Sequence, residues 1–182
     1  MSKNIIFSGL TSALLLACGG KPDVGTLQTI QDDIAQALPT VRHISADKLE
    51  ALINNNDDEL LVLDIRPLAE YNVSRIKGAL QLDPDIKPEY LSAHIGKAAL
   101  GKTVIVYCSV GWRSSLAAKR LNQSLIASGA TSVANLEGGL FGWHNENRPV
   151  VNGSGLTTLI HPYDDKWGTL LERKDTIAYS PK

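Results

Sequence analysis

The sequence predicts a three-layer α/β domain, in which a central and mostly parallel β-sheet is flanked by helices. Two mostly apolar segments have the length of buried strands, a third strand leads into a glycine turn, and helical patterns alternate with them. The chain has 182 residues and a net charge of −1, which is typical of one globular domain. Strands that alternate with helices pair in parallel through crossover connections, so helices should cover both faces of the sheet. The predicted strands are residues 60–65, 103–108 and 132–139, the last ending in a glycine turn.

Helices are predicted from the spacing of apolar residues and from residues that favour helix ends. Ser45 is a suitable N-cap for a helix that precedes the first strand. Residues 113–128 have a helical pattern, and Gly129 is placed to end it. We expect the buried side of this helix to carry Leu116, Ala117, Leu121 and Leu125.

The N-terminal residues have the features of an export signal. Lys3 precedes a mostly apolar run at residues 5–17, which as a helix would span roughly 20 Å, less than a hydrocarbon core of about 30 Å. The sequence LLACG around Cys18 resembles the lipobox of bacterial lipoproteins. This resemblance implies that residues 1–17 are a lipoprotein signal peptide and that Cys18 is the site of lipid attachment. A soluble export signal, or a buried helix with an incidental cysteine, is the alternative.

The lipobox resemblance also predicts where the protein is located. The mature chain would be exported and lipid-anchored at the cell envelope, on the periplasmic side. Gly19 instead of Asp after the cysteine implies the outer membrane in a cell with two membranes. Residues 18–40 are interpreted as the lipid attachment site, a tether and a short amphipathic helix. That helix is predicted by the spacing of Leu27, Ile30, Ile34 and Leu38.

Cys108 lies where an open α/β sheet places its ligand site, at the carboxyl end of a predicted strand. If Cys18 carries lipid, Cys108 has no cysteine to pair with, and it is either buried and inert or exposed and reactive. A helix begins within a few residues, and Gly111 can adopt a positive φ at no cost. The intervening loop can therefore turn amide groups toward the sulfur. Those groups, the helix dipole and Arg113 would stabilise a thiolate nucleophile.

The length of the cysteine loop favours sulfur chemistry over phosphate chemistry. Four residues separate Cys108 from Arg113, one fewer than in the Cys-x5-Arg loop of protein tyrosine phosphatases. A shorter ring suits a single terminal sulfur better than a tetrahedral phosphate. The loop therefore predicts transfer of a sulfane sulfur to Cys108, storage as a persulfide, and release to an acceptor. Arg113 either faces this site or pairs with a carboxylate. The structural alternative is a cysteine that packs as a small buried hydrophobe.

Three ordered segments resemble the rhodanese-like sulfurtransferases, over a domain at residues 41–151. The matching segments are residues 63–71 with 76–79, 108–114, and 136–143. The resemblance implies the rhodanese α/β fold and a ping-pong sulfur transfer with Cys108 as the catalytic residue. It also implies that backbone amides of residues 109–113 bind the persulfide. These substrate-binding residues are Ser109, Val110, Gly111, Trp112 and Arg113.

Three residues are expected to support the cysteine loop, and two departures from the family pattern affect the expected substrate. An ion-pair network that steadies the loop is expected from Asp64, Arg66 and Glu70. Ser74-Arg75 stands where many members have Gly-His, and Ser109 follows the cysteine in place of Lys or Arg. The second departure leaves fewer positive charges at the mouth of the site, which weakens the expectation that dianionic thiosulfate is the preferred donor. Trp112 would make the rim apolar, which favours a less charged donor or a protein docking surface.

Residues 152–182 form a C-terminal extension that the resemblance does not cover. Within it, His161, Asp164, Asp165 and Trp167 could form a second site or a lid, and a covering extension without chemistry is the favoured interpretation. The four histidines, at positions 43, 94, 144 and 161, lack metal-ligand spacing, so no metal or cofactor is predicted.

The predicted function is therefore that of an enzyme, a rhodanese-type sulfurtransferase. It would move a sulfane sulfur from thiosulfate, a persulfide or a polysulfide to a thiol or cyanide. The alternatives are a non-catalytic persulfide carrier, a phosphatase or arsenate reductase of related architecture, and a purely structural domain. Expected partners are small sulfur donors, thiol acceptors that include protein thiols, and the membrane through the lipid. With 18 basic and 19 acidic residues, the chain gives no electrostatic reason to expect nucleic acid.

Overall fold

The structure is a computed structural model that describes residues 24–55, 58–95 and 97–181. The predicted signal peptide and Cys18 lie outside these residues. Within the described part of the chain, no helix has the length and apolar character needed to cross a membrane.

A sheet of five parallel strands forms the centre of the fold, in the order β1-β5-β4-β2-β3. The three predicted strands form its three inner strands, so the prediction of a central parallel sheet is confirmed. In register, Asp64 at the end of one inner strand lies beside Tyr107 at the end of the next. The strands are β1 (His43–Ile44), β2 (Leu60–Asp64), β3 (Leu80–Gln81), β4 (Thr103–Tyr107) and β5 (Ser132–Leu136).

Helices cover both faces of this sheet. The helices are α1 (Leu27–Ala37), α2 (Ala46–Asn54), α3 (Leu68–Val73), α4 (Leu91–Ile95), α5 (Trp112–Ala127), α6 (Gly139–Asn145) and α7 (Asp165–Gly168), with 3-10 turns at Pro88–Tyr90 and Lys174–Thr176. Alternate residues of the inner strands point to opposite faces, so Val62 and Ile105 join one buried cluster while Leu63 and Val104 join the other. The three-layer α/β prediction is confirmed.

One prediction about α5 was wrong. Ala117, Leu121 and Leu125 are buried as expected, but Leu116 is 42% exposed. Successive residues of a helix are rotated by about 100°, so Leu116 lies to the side of the stripe that is formed by the three residues at spacings of four. That rotation places Leu116 at the surface.

The C-terminal extension folds against α6. It begins in an antiparallel ribbon of β6 (Val150–Asn152) and β7 (Gly155–Thr157). Further along, the Asn145 side chain donates to the carbonyl of Leu170 at 2.9 Å and accepts from the amide of Glu172 at 3.0 Å. Arg173 donates to the carbonyl of His144 at 3.0 Å. These contacts bring the last part of the chain back to the carboxyl edge of the sheet.

Candidate active site

Cys108 follows β4 and stands at the entrance to α5. Gly111 is the N-cap of that helix and has φ of 94°, so the expectation of a positive φ at this position is confirmed. Its amide donates to the sulfur of Cys108 at 3.3 Å. Gly111 belongs to the predicted cradle of residues 109–113. The loop therefore turns at least this amide toward the sulfur, as an anion-binding turn does.

The start of α6 holds the cysteine loop from behind. The amides of Leu140 and Phe141 donate to the carbonyls of Cys108 and Ser109, both at 2.8 Å. Gly139, with φ of 57°, makes this approach possible, because a Cβ there would lie 2.5 Å from the carbonyl oxygen of Cys108. The carbonyls of the loop are thus bonded on the side away from the site. The sequence interpretation of Gly138-Gly139 as a simple turn missed this contact, although two successive glycines before a helix are a visible signal.

Glu70, Ser109 and Arg113 form a hydrogen-bonded cluster beside the thiol. Glu70 is supplied by α3, and its two carboxylate oxygens accept from the two terminal nitrogens of Arg113, each at 3.0 Å. Ser109 donates to Glu70 at 2.9 Å and accepts from Arg113 at 2.9 Å. Both alternatives considered for Arg113 therefore occur, since it pairs with a carboxylate and also lines the site.

The electrostatics of this cluster keep both partners charged at neutral pH. Burial alone would raise the pKa of Glu70, but the hydrogen bonds and the positive charge of Arg113 outweigh burial and lower the pKa of the carboxyl. Burial also acts against the charge of Arg113, yet Cys108 and Glu70 together raise the pKa of the guanidinium. The cation is thus held by two anionic or potentially anionic neighbours.

Asp64 and Arg66 form a second pair, one layer deeper. The Arg66 guanidinium donates to Asp64 at 2.6 Å, and both side chains are fully buried. Tyr107 also donates to Asp64 at 2.6 Å, and burial followed by the charge of Asp64 raises the pKa of its phenol. Among the described residues, the side chains of Asp64 and Arg66 bond to each other and to groups of the fold, and neither is hydrogen-bonded to Cys108. The structure therefore separates the three expected supporting residues into a deep pair and one carboxylate, Glu70, that borders the site.

A cavity of 30 Å³ borders Cys108, whose own exposed fraction is 1%. Its lining is mostly apolar and consists of Cys108, Ser109, Val110, Trp112, Arg113, Tyr163 and Trp167. Trp167 was among the residues considered for a lid, whereas the sequence interpretation did not single out Tyr163. The other three residues considered with it, His161, Asp164 and Asp165, are not part of this lining. The C-terminal extension thus contributes two aromatic side chains to the site.

A model of the rhodanese-like domain matches residues 45–146, which is more than half of the chain. The chain belongs to the rhodanese-like domain family. It is 33% identical over 115 residues to a sulfurtransferase of Allochromatium vinosum, an alignment that covers 63% of this chain and 99% of the relative. It is 26% identical over 163 residues to a tRNA uridine(34) hydroxylase of Oceanobacillus iheyensis, covering 86% of this chain and 46% of the relative. The chain therefore spans about half the length of that hydroxylase.

The fold of this rhodanese-like protein also matches solved structures. It superposes on a thiosulfate sulfurtransferase from Pseudomonas aeruginosa with a TM-score of 0.53 and 21% identity, over 70% of this chain and 23% of the other. The family match and the relatives named as sulfurtransferases support a sulfurtransferase-type enzyme at the level of the family. Tyr163 and Trp167 lie outside the matched residues, so this part of the cavity is not part of the family match.

The rhodanese-like site has the parts that sulfur-centred nucleophilic chemistry requires. It contains a cysteine with an amide donor at its sulfur, a guanidinium close by, and a small, mostly apolar cavity beside it. A negative charge on sulfur is stabilised by such donors, and the surrounding apolar side chains keep those interactions strong. In the described part of the chain, no group of three or more histidine, cysteine or acidic residues could hold a metal ion.

Proposed function

We propose that this protein transfers a sulfane sulfur through a persulfide on Cys108. The donor would be thiosulfate, a persulfide or a polysulfide, and the acceptor a thiol or cyanide. The observation that carries the proposal is the position of the sulfur, which accepts the Gly111 amide at 3.3 Å and faces a cavity of 30 Å³. An accessible volume of about 10–15 Å³ is enough to hold one water molecule, so this cavity has room for an added sulfur atom.

Each half of the reaction breaks one sulfur–sulfur bond and forms one new bond to the transferred sulfur. The Cys108 thiolate attacks the outer sulfur of the donor, and the bonding electron pair leaves with the donor as a thiolate or, from thiosulfate, as sulfite. Cys108 then carries a terminal anionic sulfur, which the loop amide and Arg113 are placed to stabilise. An acceptor thiolate attacks that terminal sulfur, and the electron pair returns to Cys108. With cyanide as acceptor the product is thiocyanate.

A persulfide carrier without rapid turnover is the second candidate, because the sulfur of Cys108 is buried and this would slow exchange with an acceptor. The length of the loop is the argument against the phosphatase alternative, because four residues separate Cys108 from Arg113, one fewer than in the phosphatase loop.

The test compares the wild type with Cys108→Ser, using thiosulfate as donor and cyanide as acceptor. We expect the wild type to gain about 32 Da, one sulfur atom, after thiosulfate and to form thiocyanate continuously. Cys108→Ser should gain no mass, and its turnover should fall by at least about 10³-fold, as expected when a nucleophile is removed. Circular dichroism and urea unfolding establish that the variant is folded.

The alternatives give different results in the same experiment. An adduct without turnover identifies a carrier and contradicts the enzymatic proposal. Phosphate-ester hydrolysis that requires Cys108, with no sulfur adduct, would replace sulfur transfer by phosphatase chemistry. A wild-type thiol that forms no adduct and does not react with iodoacetamide at pH 7 would leave only the structural alternative.

We also propose that the mature protein begins at Cys18 and is anchored to the cell envelope through lipid on that residue. The support is the short apolar segment and the LLACG sequence. Mass spectra of the protein purified from membranes report this acylation together with the sulfur adduct. A mature chain that retains residues 1–17, or that carries no acyl group, contradicts the anchor and leaves the sulfur-transfer proposal unaffected.

A further inference from the structure

We propose that Tyr163 and Trp167 form an aromatic cap over Cys108 that makes the site prefer donors with one negative charge over donors with two. This inference rests on the proposed sulfur transfer, because it concerns the donor of that reaction. Both cap residues belong to the C-terminal extension, beyond the residues that match the family. The extension would therefore determine specificity.

Trp167 is held in place by the fold of the extension itself. Asp164 caps α7 by accepting from the Trp167 amide at 2.8 Å. Lys174 donates to the carbonyl of Gly168 at 2.9 Å, at the end of the same short helix. Gly168 also packs closely on Pro162, since a Cβ at Gly168 would lie 2.9 Å from the proline Cβ. The indole is 7% exposed, so its position over the cavity is defined by packing on several sides.

Tyr163 adopts a backbone conformation that its residue type rarely takes. Its φ is 69°, which for a bulky residue costs energy and persists only when the surroundings impose it. The Tyr163 amide donates to Nδ1 of His161 at 3.0 Å, which fixes this turn. The resulting position brings the guanidinium carbon of Arg113 to 5.0 Å from the centre of the phenol ring. The ring thus covers the one cation of the cavity.

The charges around the cavity are already balanced. Among the described residues that line it, Arg113 is the only one with a full charge, and both of its terminal nitrogens are bonded to Glu70. Arg66, in the deep pair, is neutralised by Asp64. One anionic atom at the sulfur is met by the Gly111 amide and by Arg113, whose charge Glu70 already balances. A second negative charge would lose its hydration without gaining a partner, which is strongly unfavourable.

The lining of the cavity places the donor against the cap. Tyr163 and Trp167 line the same mostly apolar space as Cys108. A donor whose outer sulfur reaches Cys108 would therefore place its leaving part against these two rings. A sulfonate that carries charge there would meet aromatic carbon, whereas a methyl group would pack against it.

Two donors that differ in charge provide a matched test. Thiosulfate is a dianion, and methanethiosulfonate replaces one charged oxygen by a methyl group, leaving a monoanion. Both transfer their outer sulfur to the Cys108 thiolate, with the electron pair leaving as sulfite or methanesulfinate respectively. We measure kcat/KM for each donor with cyanide as acceptor, and normalise each value to the donor's uncatalysed reaction with a small thiolate. The variants are Tyr163→Ala and Trp167→Ala, and the control is Leu156→Ala, which alters a side chain of the same extension that is 80% exposed.

We expect the wild type to prefer methanethiosulfonate by at least about tenfold, which corresponds to 1.4 kcal/mol. Each cap variant should lower this ratio at least about threefold, mainly through a higher kcat/KM for thiosulfate, because water can then reach the second charge. Leu156→Ala should keep the wild-type ratio. If Trp167→Ala does not fold, Trp167→Leu and the half-buried Tyr163 still provide the test.

The failure of this inference can be distinguished from the failure of the proposed function. Turnover of both donors with a wild-type ratio of one or less, or cap variants that keep the wild-type ratio, would overturn the cap and leave sulfur transfer intact. No turnover and no sulfur adduct with either donor would overturn sulfur transfer itself, and the cap with it.

Discussion

Two arginine–carboxylate pairs lie close together behind the cysteine loop, and they differ in burial. In the deep pair, Arg66 and Asp64 are both completely buried, with a shortest nitrogen–oxygen distance of 2.6 Å. In the outer pair, the Glu70 side chain is 4% exposed and that of Arg113 is 26% exposed, at a distance of 3.0 Å. The chemical groups are the same in kind, so their different roles must come from their surroundings.

The further partners of each pair show what that difference means. The deep pair is bonded to groups of the fold, since Arg66 donates to the Ser74 carbonyl at 2.6 Å and Asp64 accepts from Tyr107. The outer pair is bonded to Ser109 and lies beside Cys108 and Tyr163. We infer that the deep pair joins the end of the sheet to the chain after α3, and that the outer pair controls the charge at the sulfur.

If the deep pair stabilises the fold, breaking it should cause the largest effect, a loss of free energy of unfolding. Arg66→Met leaves Asp64 buried without its cation, and we expect the free energy of unfolding to fall by about 3–5 kcal/mol. Urea unfolding at pH 7 measures this loss. The comparison variant is Arg148→Met, because Arg148 pairs with Asp47, Glu50 and Glu146, whose side chains are 88%, 34% and 53% exposed. That variant should lose less than Arg66→Met, because it leaves no fully buried carboxylate without its cation. Equal losses in the two variants would show that burial does not distinguish these pairs.

The outer pair should instead affect the reaction. Arg113→Met removes the cation beside the sulfur and leaves the Glu70 anion near it, so both the thiolate and the terminal persulfide lose stabilisation. We expect kcat/KM with methanethiosulfonate to fall about 10- to 100-fold, equivalent to roughly 1.4–2.7 kcal/mol. The loss of unfolding free energy should be smaller than for Arg66→Met, since Arg113 is partly exposed.

Arg113→Lys is the control for this second test, because it restores charge without the two parallel hydrogen bonds. It should recover part of the activity. Arg113→Met could instead lose as much unfolding free energy as Arg66→Met and keep the wild-type kcat/KM. Both pairs would then stabilise the fold, and neither would act in the reaction.

The parts of this fold that were predictable are those with a physical signal in local sequence. Strands β2, β4 and β5 are buried on both faces, so each consists mainly of apolar residues, although β5 also contains Asn135. Strands β1 and β3 have two residues each, which is too short for any periodicity. They are strands only because β5 and β2 offer edges to pair with. That information lies in the assembled sheet and not in the four residues.

The same distinction applies to the site. The loop from Cys108 to Arg113 was identified because its glycine, arginine and helix start lie within six consecutive positions. Tyr163 reaches the same cavity from a distant part of the chain, in a conformation with positive φ that its residue type does not indicate. The contact of Gly139 with the loop likewise depends on how α6 approaches β4. Such contacts require the tertiary structure.

The smallest expected effect is the pH dependence of the outer pair. The pKa of Glu70 is lowered in the folded protein, so the folded state favours the carboxylate more than the unfolded chain does. Its contribution to stability is present above the unfolded value, 4.5, and is lost as the pH falls through the lower folded value. Glu70→Gln cannot titrate and lacks the charge at every pH. The wild type should therefore be more stable than Glu70→Gln by about 1 kcal/mol at pH 7, the range for a partly exposed pair.

Measured by urea unfolding at a series of pH values, this difference should shrink as the pH falls below 4.5, because protonation of Glu70 makes the wild type resemble the glutamine variant. Curves for wild type and Glu70→Gln that stay parallel to pH 3 would mean that the carboxylate of Glu70 gains nothing from Arg113 in the folded state. The outer pair would then have no energetic role, and its position beside Cys108 would not explain how charge at the sulfur is controlled.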